Sequence, residues 1–201
     1  MRKISVTNNL TLDGVMQAPG GKEEDPREDF KHGGWATPYH DSVKMRIMGE
    51  GMARPHGLLF GRRTYEHFFK VWPGRTDNPF SEVLDNTQKY VASRTLKEPL
   101  PWKNSTLLAG DAADAVGQLK REGGPDLLVM GSGVLVESLM QRDLVDVFIL
   151  LIHPLVLGTG RRLFTDGGAF AKLRLVKSTP TTTGVLLTTF EPAERASPEP
   201  V

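Results

Sequence analysis

The chain is organised around one stretch, Asp126-Leu127-Leu128-Val129-Met130-Gly131-Ser132-Gly133-Val134-Leu135-Val136-Glu137. A short apolar run ends in Gly-Ser-Gly, and an amphipathic segment, Val134 to Gln141, follows without a break. This pattern predicts a buried strand that feeds a tight turn and then a helix. The start of such a helix presents unpaired backbone N–H groups and the positive end of its dipole, which together make an anion site. Glycine at the turn lets a phosphate approach the backbone, where a side chain would hold it off. A Gly-x-Gly turn can also serve strand-to-helix geometry alone, so the rest of the chain must weigh between the two.

Elsewhere strands alternate with helices. Ile4 to Leu12, His56 to Phe60, Gln88 to Ser93 and Thr106 to Leu108 read as strands. Thr37, with Pro38 behind it, is expected to cap a helix that continues over Tyr39 to Gly51. Arg63 to Phe69 reads as helical and Phe80 to Asn86 as a helical turn. Asp111 is expected to cap a helix over Ala112 to Glu122, ended by Gly123-Gly124-Pro125. Val145 to His153 is the most apolar run and belongs inside a sheet, while Thr183-Gly184 joins a closing hairpin. Gln17 to Gly34 is a long loop rich in Gly, Pro and charge, of the kind that is functional or mobile. The fold class expected is α/β, with a mainly parallel central sheet flanked by helices and a C-terminal antiparallel hairpin. Residues 1–192 read as one domain and 193–201 as a disordered tail.

Composition narrows the function classes. Lys and Arg total 25 against 24 for Asp and Glu, a net charge of +1, which gives no sign of a general nucleic-acid or membrane surface. There is no cysteine, so disulfides and thiolate metal sites are excluded, and no metal is expected. The first residues lack the apolar run of a signal peptide, and no stretch approaches the roughly 20 apolar residues of a membrane span. A soluble cytoplasmic protein is the expectation.

Three stretches in this order resemble the dihydrofolate reductase superfamily: Gly61-Arg62-Arg63-Thr64-Tyr65-Glu66, Tyr90-Val91-Ala92-Ser93-Arg94-Thr95 and Val129-Met130-Gly131-Ser132-Gly133. Thr11-Leu12-Asp13-Gly14 and Pro154-Leu155-Val156-Leu157-Gly158 are similar to the branch that holds the reductase domain of the riboflavin-biosynthesis deaminase-reductase and its stand-alone relatives. The resemblance implies a dihydrofolate reductase-like fold over residues 1 to about 190, an NADPH cofactor and a homodimer. The deaminase half, with its zinc site, has no counterpart here.

On that resemblance, Gly61, Arg62, Arg63 and Thr64 start one phosphate-facing helix, and Gly131, Ser132, Gly133 and Val134 start the other. Arg62, Ser93 and Arg94 stand where the family faces the adenosine 2′-phosphate, and guanidinium groups suit a phosphate dianion. A positive φ at Ser132 would strain it. Asp13 either touches substrate or closes a plain Asp-Gly turn. Trp35 either stacks on a flat heterocycle or fills the core, and Asp41 lies in the helix that carries the family's acidic pterin-binding residue. Asp77-Asn78-Pro79 resembles the segment with the riboflavin reductase's catalytic acid, although its surroundings depart from that pattern. His153 can donate a proton or be structural. The expected activity is NADPH-dependent reduction of a small heterocycle like the aminouracil of riboflavin synthesis. The alternatives are a dihydrofolate or pterin reductase, and a non-catalytic NADP(H)-binding protein.

Overall fold

The computed structural model describes residues 1–78 and 80–193; the expected tail beyond Ala193 and Pro79 lie outside the described residues. The strands are β1 (Ile4–Thr11), β2 (His56–Gly61), β3 (Lys89–Ala92), β4 (Ser105–Leu108), β5 (Asp126–Met130), β6 (Val147–His153), β7 (Leu173–Pro180) and β8 (Leu186–Pro192). They form one sheet in the order β4-β3-β2-β5-β1-β6-β8-β7. β1 to β6 pair in parallel, while β8 and β7 are antiparallel additions. The expected mainly parallel sheet with a terminal hairpin is therefore what forms.

The helices are α1 (Ser42–Met52), α2 (Arg62–Val71), α3 (Phe80–Asn86), α4 (Ala112–Arg121) and α5 (Gly133–Met140). Right-handed crossovers sort them by direction of travel. The chain moves from β1 through β2 to β3 under α1, α2 and α3, and these pack Met52, Tyr65 and Leu84 over Leu58, Phe60 and Val91. It moves the other way from β4 through β5 to β6, and α4 and α5 pack Val116, Leu119, Val136 and Leu139 on Ile4, Val6 and Val129. The reversal falls between β2 and β5, which are neighbours in the sheet. The connections that leave these two strands go to opposite faces of the sheet, which is where open α/β sheets place their ligands.

One expected boundary moves. Thr37–Tyr39 is a separate 3-10 turn that contains Pro38, and His40 is extended (φ −70°, ψ 130°). The helix begins at Ser42 because Asp41 caps it: a carboxylate oxygen accepts the Lys44 N–H at 2.7 Å. A charged acceptor at the N-cap wins over a threonine farther back.

The long loop before this helix is well tied. Gln17 donates to the carbonyls of Asp25 and Arg27 and accepts from the Arg161 N–H, and Trp35 Nε1 donates to the Gln17 carbonyl at 2.7 Å. Val15, Ala18, Phe30, Trp35 and Ala36 make a small core of their own.

Candidate functional site

Because β1 to β6 are parallel, Gly61, Ala92, Met130 and His153 all end strands at one edge of the sheet. Gly61 pairs in register with Ala92, so Ser93 and Arg94 continue directly beside the start of α2. The starts of α2 and α5 touch. The Gly61 N–H donates to Ser132 Oγ at 3.0 Å, and Ser132 Oγ donates in turn to the Met130 carbonyl at 3.3 Å. Gly131 has φ +61°, and a Cβ there would sit 3.4 Å from Thr64 Cγ2. Ser132 is itself left-handed, with φ 57°, so the strain expected on sequence grounds is present.

Capping separates these two helices from two others. α1 and α4 are closed by Asp41 and Asp111, whose carboxylates accept backbone N–H groups. Among the described residues, α2 and α5 have no side-chain cap and no acidic residue in the first turn. Their first N–H groups and positive dipole ends are thus free for an anion from outside the chain. Val134, in the first turn of α5, is 79 % exposed. Met16, just before the long loop, lies over Gly133: a Cβ on that glycine would come within 2.7 Å of its sulfur.

The cationic groups differ in their freedom. Arg62 meets both Glu66 oxygens at 3.3 Å, one turn along α2. Arg63 and Arg94 are exposed. The Ser93 hydroxyl accepts from the N–H groups of Thr95 and Leu96, which curls the segment after β3.

The acids are engaged by the fold, and of the two roles open to the tryptophan it takes the core one. Asp77 lies beyond the end of α2, which carries the chain back toward the opposite edge of the sheet; it is exposed and paired with Arg75 at 2.9 Å. It does not join the other motif residues. Asp41 is used up structurally. Besides capping α1, it accepts from Thr182 Oγ1 at 3.0 Å and the Thr183 N–H at 3.3 Å, and the Lys44 N–H first, with these partners, holds it far below the usual carboxylate range. Asp13 ties two loops together. It accepts from Thr11 Oγ1 and from the N–H groups of Leu157 and Gly158. Burial pushes its pKa up, but these donors outweigh burial and bring it below the ordinary value. Trp35 is 7 % exposed and packs edge-on to His153, so it is a core aromatic and presents no open face for stacking.

His153 is fully buried at the end of β6. Its Nε2 meets Asn9 Oδ1 at 3.0 Å, while Trp35 and Tyr39 close on its ring at 5.1 Å each. Burial first, then the nearby charges of Lys44 and His40, bring its pKa down to about 4. It is neutral at neutral pH. Lys44 was not among the residues singled out from sequence, yet its spacing held a signal: it stands three and four positions before Ile47 and Met48, the apolar face of α1. A surface hollow of about 640 Å³ beside α4, lined by Asp111, Asp114, Arg121 and Arg142 among others, includes none of these motif residues.

Residues 2–187 match the RibD C-terminal domain family. The chain belongs to that family. It is a family of reductase-type domains, which gives the chain a general oxidoreductase role. The chain is 30% identical over 195 residues to YyaP of Bacillus subtilis strain 168, an uncharacterized protein, with 92% of each chain covered. Among solved structures it is similar to a Shewanella sp. PV-4 protein provisionally assigned to riboflavin biosynthesis (TM-score 0.67, 21% identity, 96% of this chain and 99% of that one). It is also similar to the dihydrofolate reductase of Enterococcus faecalis solved with NADP(H) and RAB-propyl (TM-score 0.57, 14% identity, 96% and 97%). A pyrimidine reductase-like protein of Corynebacterium diphtheriae aligns with a TM-score of 0.62 at 10% identity, over 96% and 93%. The RibD C-terminal domain here thus has the fold of the dihydrofolate reductase superfamily. No helix among the described residues is long and apolar enough to cross a membrane.

Proposed function

We propose that this RibD C-terminal domain protein is an NADPH-dependent reductase of a small heterocyclic substrate, most like the aminouracil of riboflavin synthesis. One observation carries the reading. Two uncapped, acid-free helix starts meet at the Gly61–Ser132 hydrogen bond, at the point where the strand order reverses. Gly61, Arg63, Thr64 and the Gly131 to Val134 turn would hold the pyrophosphate there. Arg62, Ser93 and Arg94, one strand over, would receive the 2′-phosphate. When bound, the nicotinamide supplies the hydride.

The chain's own contribution is to bind, align and exclude water. With the 2′-phosphate on the β3 side of the helix starts, the other half of the dinucleotide extends toward β1 and β6. That side ends in Thr11, Asp13 and His153, and the Asp13 clamp holds its loops in place. Asp13 is our remaining candidate among the expected acids for a group near the reacting ring, and the carboxylate is ionised at neutral pH. A proton must then come from elsewhere in the site or from water.

We also propose that two copies pair. The apolar run of β6 does not provide the surface, since β6 is interior to the sheet and its side chains pack in the core. The edge strand β7 does, with Leu175 at 52 % and Val176 at 48 % exposure. Sedimentation would show a dimer, and Val176→Lys would shift it to monomer.

The deciding test is titration of the protein with NADPH and NADH, followed by absorbance assays with an aminouracil and with dihydrofolate. NADPH binding preferred over NADH and oxidised only with the aminouracil is the expected result. Equal affinity for the two cofactors would reject the 2′-phosphate assignment.

A further inference from the structure

β4 forms an edge of the sheet: it ends the strand order and pairs with β3. Along a parallel ladder successive residues turn their N–H and C=O groups to opposite sides. The carbonyls of Asn104 and Leu108 accept the N–H groups of Lys89 and Ser93, at 2.7 and 3.2 Å, and so face β3. Thr106 lies between them in the same phase, opposite Tyr90. Ser105 and Leu107 therefore turn their backbone groups outward. The outward groups of an edge strand are a template for another strand, and proteins block them with charged side chains, bulges or covering loops.

Here the outward Leu107 N–H is taken by a side chain: it donates to Glu98 Oε1 at 2.7 Å. Glu98 belongs to the connector between β3 and β4 and is itself exposed. The connector is anchored on both sides of it, where Leu96, Leu100 and Trp102 pack into the cluster of Phe60 and Tyr65. Water satisfies an exposed N–H as well as a side chain does. What the carboxylate does besides is occupy the place of a neighbouring strand's carbonyl. Behind this edge a hollow of about 320 Å³ lies between β4 and α4, lined by Tyr90, Thr106, Leu108, Ala115 and Leu119 among others. A strand added to the edge would turn alternate side chains toward it.

We propose that Glu98 keeps this edge closed, and that with Glu98 withdrawn a second copy of the chain pairs there, β4 against β4, antiparallel and centred on Leu107. The centre follows from the geometry. In an antiparallel hydrogen-bonded pair two opposed residues exchange both bonds. Leu107 has both groups outward, so a two-fold axis beside it matches the residue to its own copy. Leu108 of one copy then lies opposite Thr106 of the other, on the side of the hollow. The closed edge also limits assembly. A pair formed through β7 leaves a β4 edge at each end, and with those open the copies would add without end. Glu98 stops the assembly at two.

Sedimentation of the full chain at rising concentration tests this, with Val176→Lys in every sample to remove pairing through β7. Glu98→Ala is expected to self-associate roughly 10- to 100-fold more tightly than its parent, the range for one competing hydrogen bond to a charged group. Glu98→Thr should do the same, whereas Glu98→Gln keeps an acceptor on the Leu107 N–H and should behave as the parent. Amide hydrogen exchange locates the contact. In Glu98→Ala the Leu107 N–H should exchange faster than in the parent when dilute, and more slowly as concentration rises. Circular dichroism shows that each variant keeps the fold. No gain in association in Glu98→Ala and Glu98→Thr, association without concentration-dependent protection of Leu107, or equal association of Glu98→Gln would each overturn the proposal. A monomeric wild type would overturn the pairing through β7, while the Glu98 series still decides β4.

Discussion

The Gly61 amide donates to the Ser132 hydroxyl at 3.0 Å, and this one bond joins the ends of β2 and β5 where their helices diverge. Ser132 holds the position at the cost of a left-handed backbone, φ 57°. Ser132→Ala keeps that strain and loses the hydroxyl, so it should destabilise by about 1 kcal/mol. Ser132→Gly loses the same bond but relieves a left-handed penalty of about 1 kcal/mol, so it should come out near neutral. Urea unfolding of both variants checks the difference. Equal destabilisation by the two would show that the strain is not worth what the geometry implies.

Arg94 is exposed beside the start of α2, whereas Arg62 is engaged with Glu66. Arg94→Ala should weaken NADPH by about 1.5–3 kcal/mol, the loss of a hydrogen bond between charged groups, and leave NADH unchanged. Glu66→Gln frees Arg62 and should hold or improve NADPH affinity. Fluorescence titration with both nucleotides reads the two effects.

The space over Gly133 belongs to Met16, whose sulfur would lie 2.7 Å from an added Cβ. A methionine end is flexible and can swing aside, so Gly133→Ala should fold with little loss. Gly133→Val places branched methyls over the free N–H groups of α5 and should abolish NADPH binding with the fold intact. Circular dichroism and NADPH titration on the same samples separate the two readouts. Unchanged NADPH affinity in Gly133→Val would count against the anion site.

His153 should make stability sensitive to acid. Its pKa is about 4 in the folded protein against an ordinary 6.5. Between those values the unfolded chain binds a proton that the folded one refuses, so stability is lost as pH falls from about 6.5 to 4, by roughly 2–3 kcal/mol. Above 6.5 the group contributes no slope. Denaturant melts across that range should show the fall, and His153→Gln should flatten it.

Asp13 links the Thr11–Gly14 turn to the loop after β6 through the N–H groups of Leu157 and Gly158. Asp13→Ala should cost about 1–3 kcal/mol of stability, the range for losing bonds to a charged acceptor. If Asp13 also acts on the reacting ring, kcat per folded molecule should fall well beyond that loss. A rate unchanged at full folding would reduce Asp13 to a clamp.

The alternation of short apolar runs with helical periodicity was enough to predict a mainly parallel sheet, because buried strands and amphipathic helices each write a period into the chain. The two strand-to-helix turns proposed to hold phosphate were legible as turns for the same local reason: Gly61 to Thr64 and Gly131 to Val134 are contiguous, and glycine there answers to backbone geometry within a few residues. Only the tertiary structure decided that these turns touch, since β2 and β5 are far apart in sequence and become neighbours through the strand order. It also decided the fate of the acids. Asp13, Asp41 and Asp77 look alike in sequence, yet one ties loops, one caps a helix and one pairs with Arg75 away from the site, because a carboxylate's role is set by which donors the fold brings to it. His153 shows the converse: an ordinary histidine in sequence, it ends β6 fully buried against Trp35 and Tyr39, and that burial brings its pKa down to about 4.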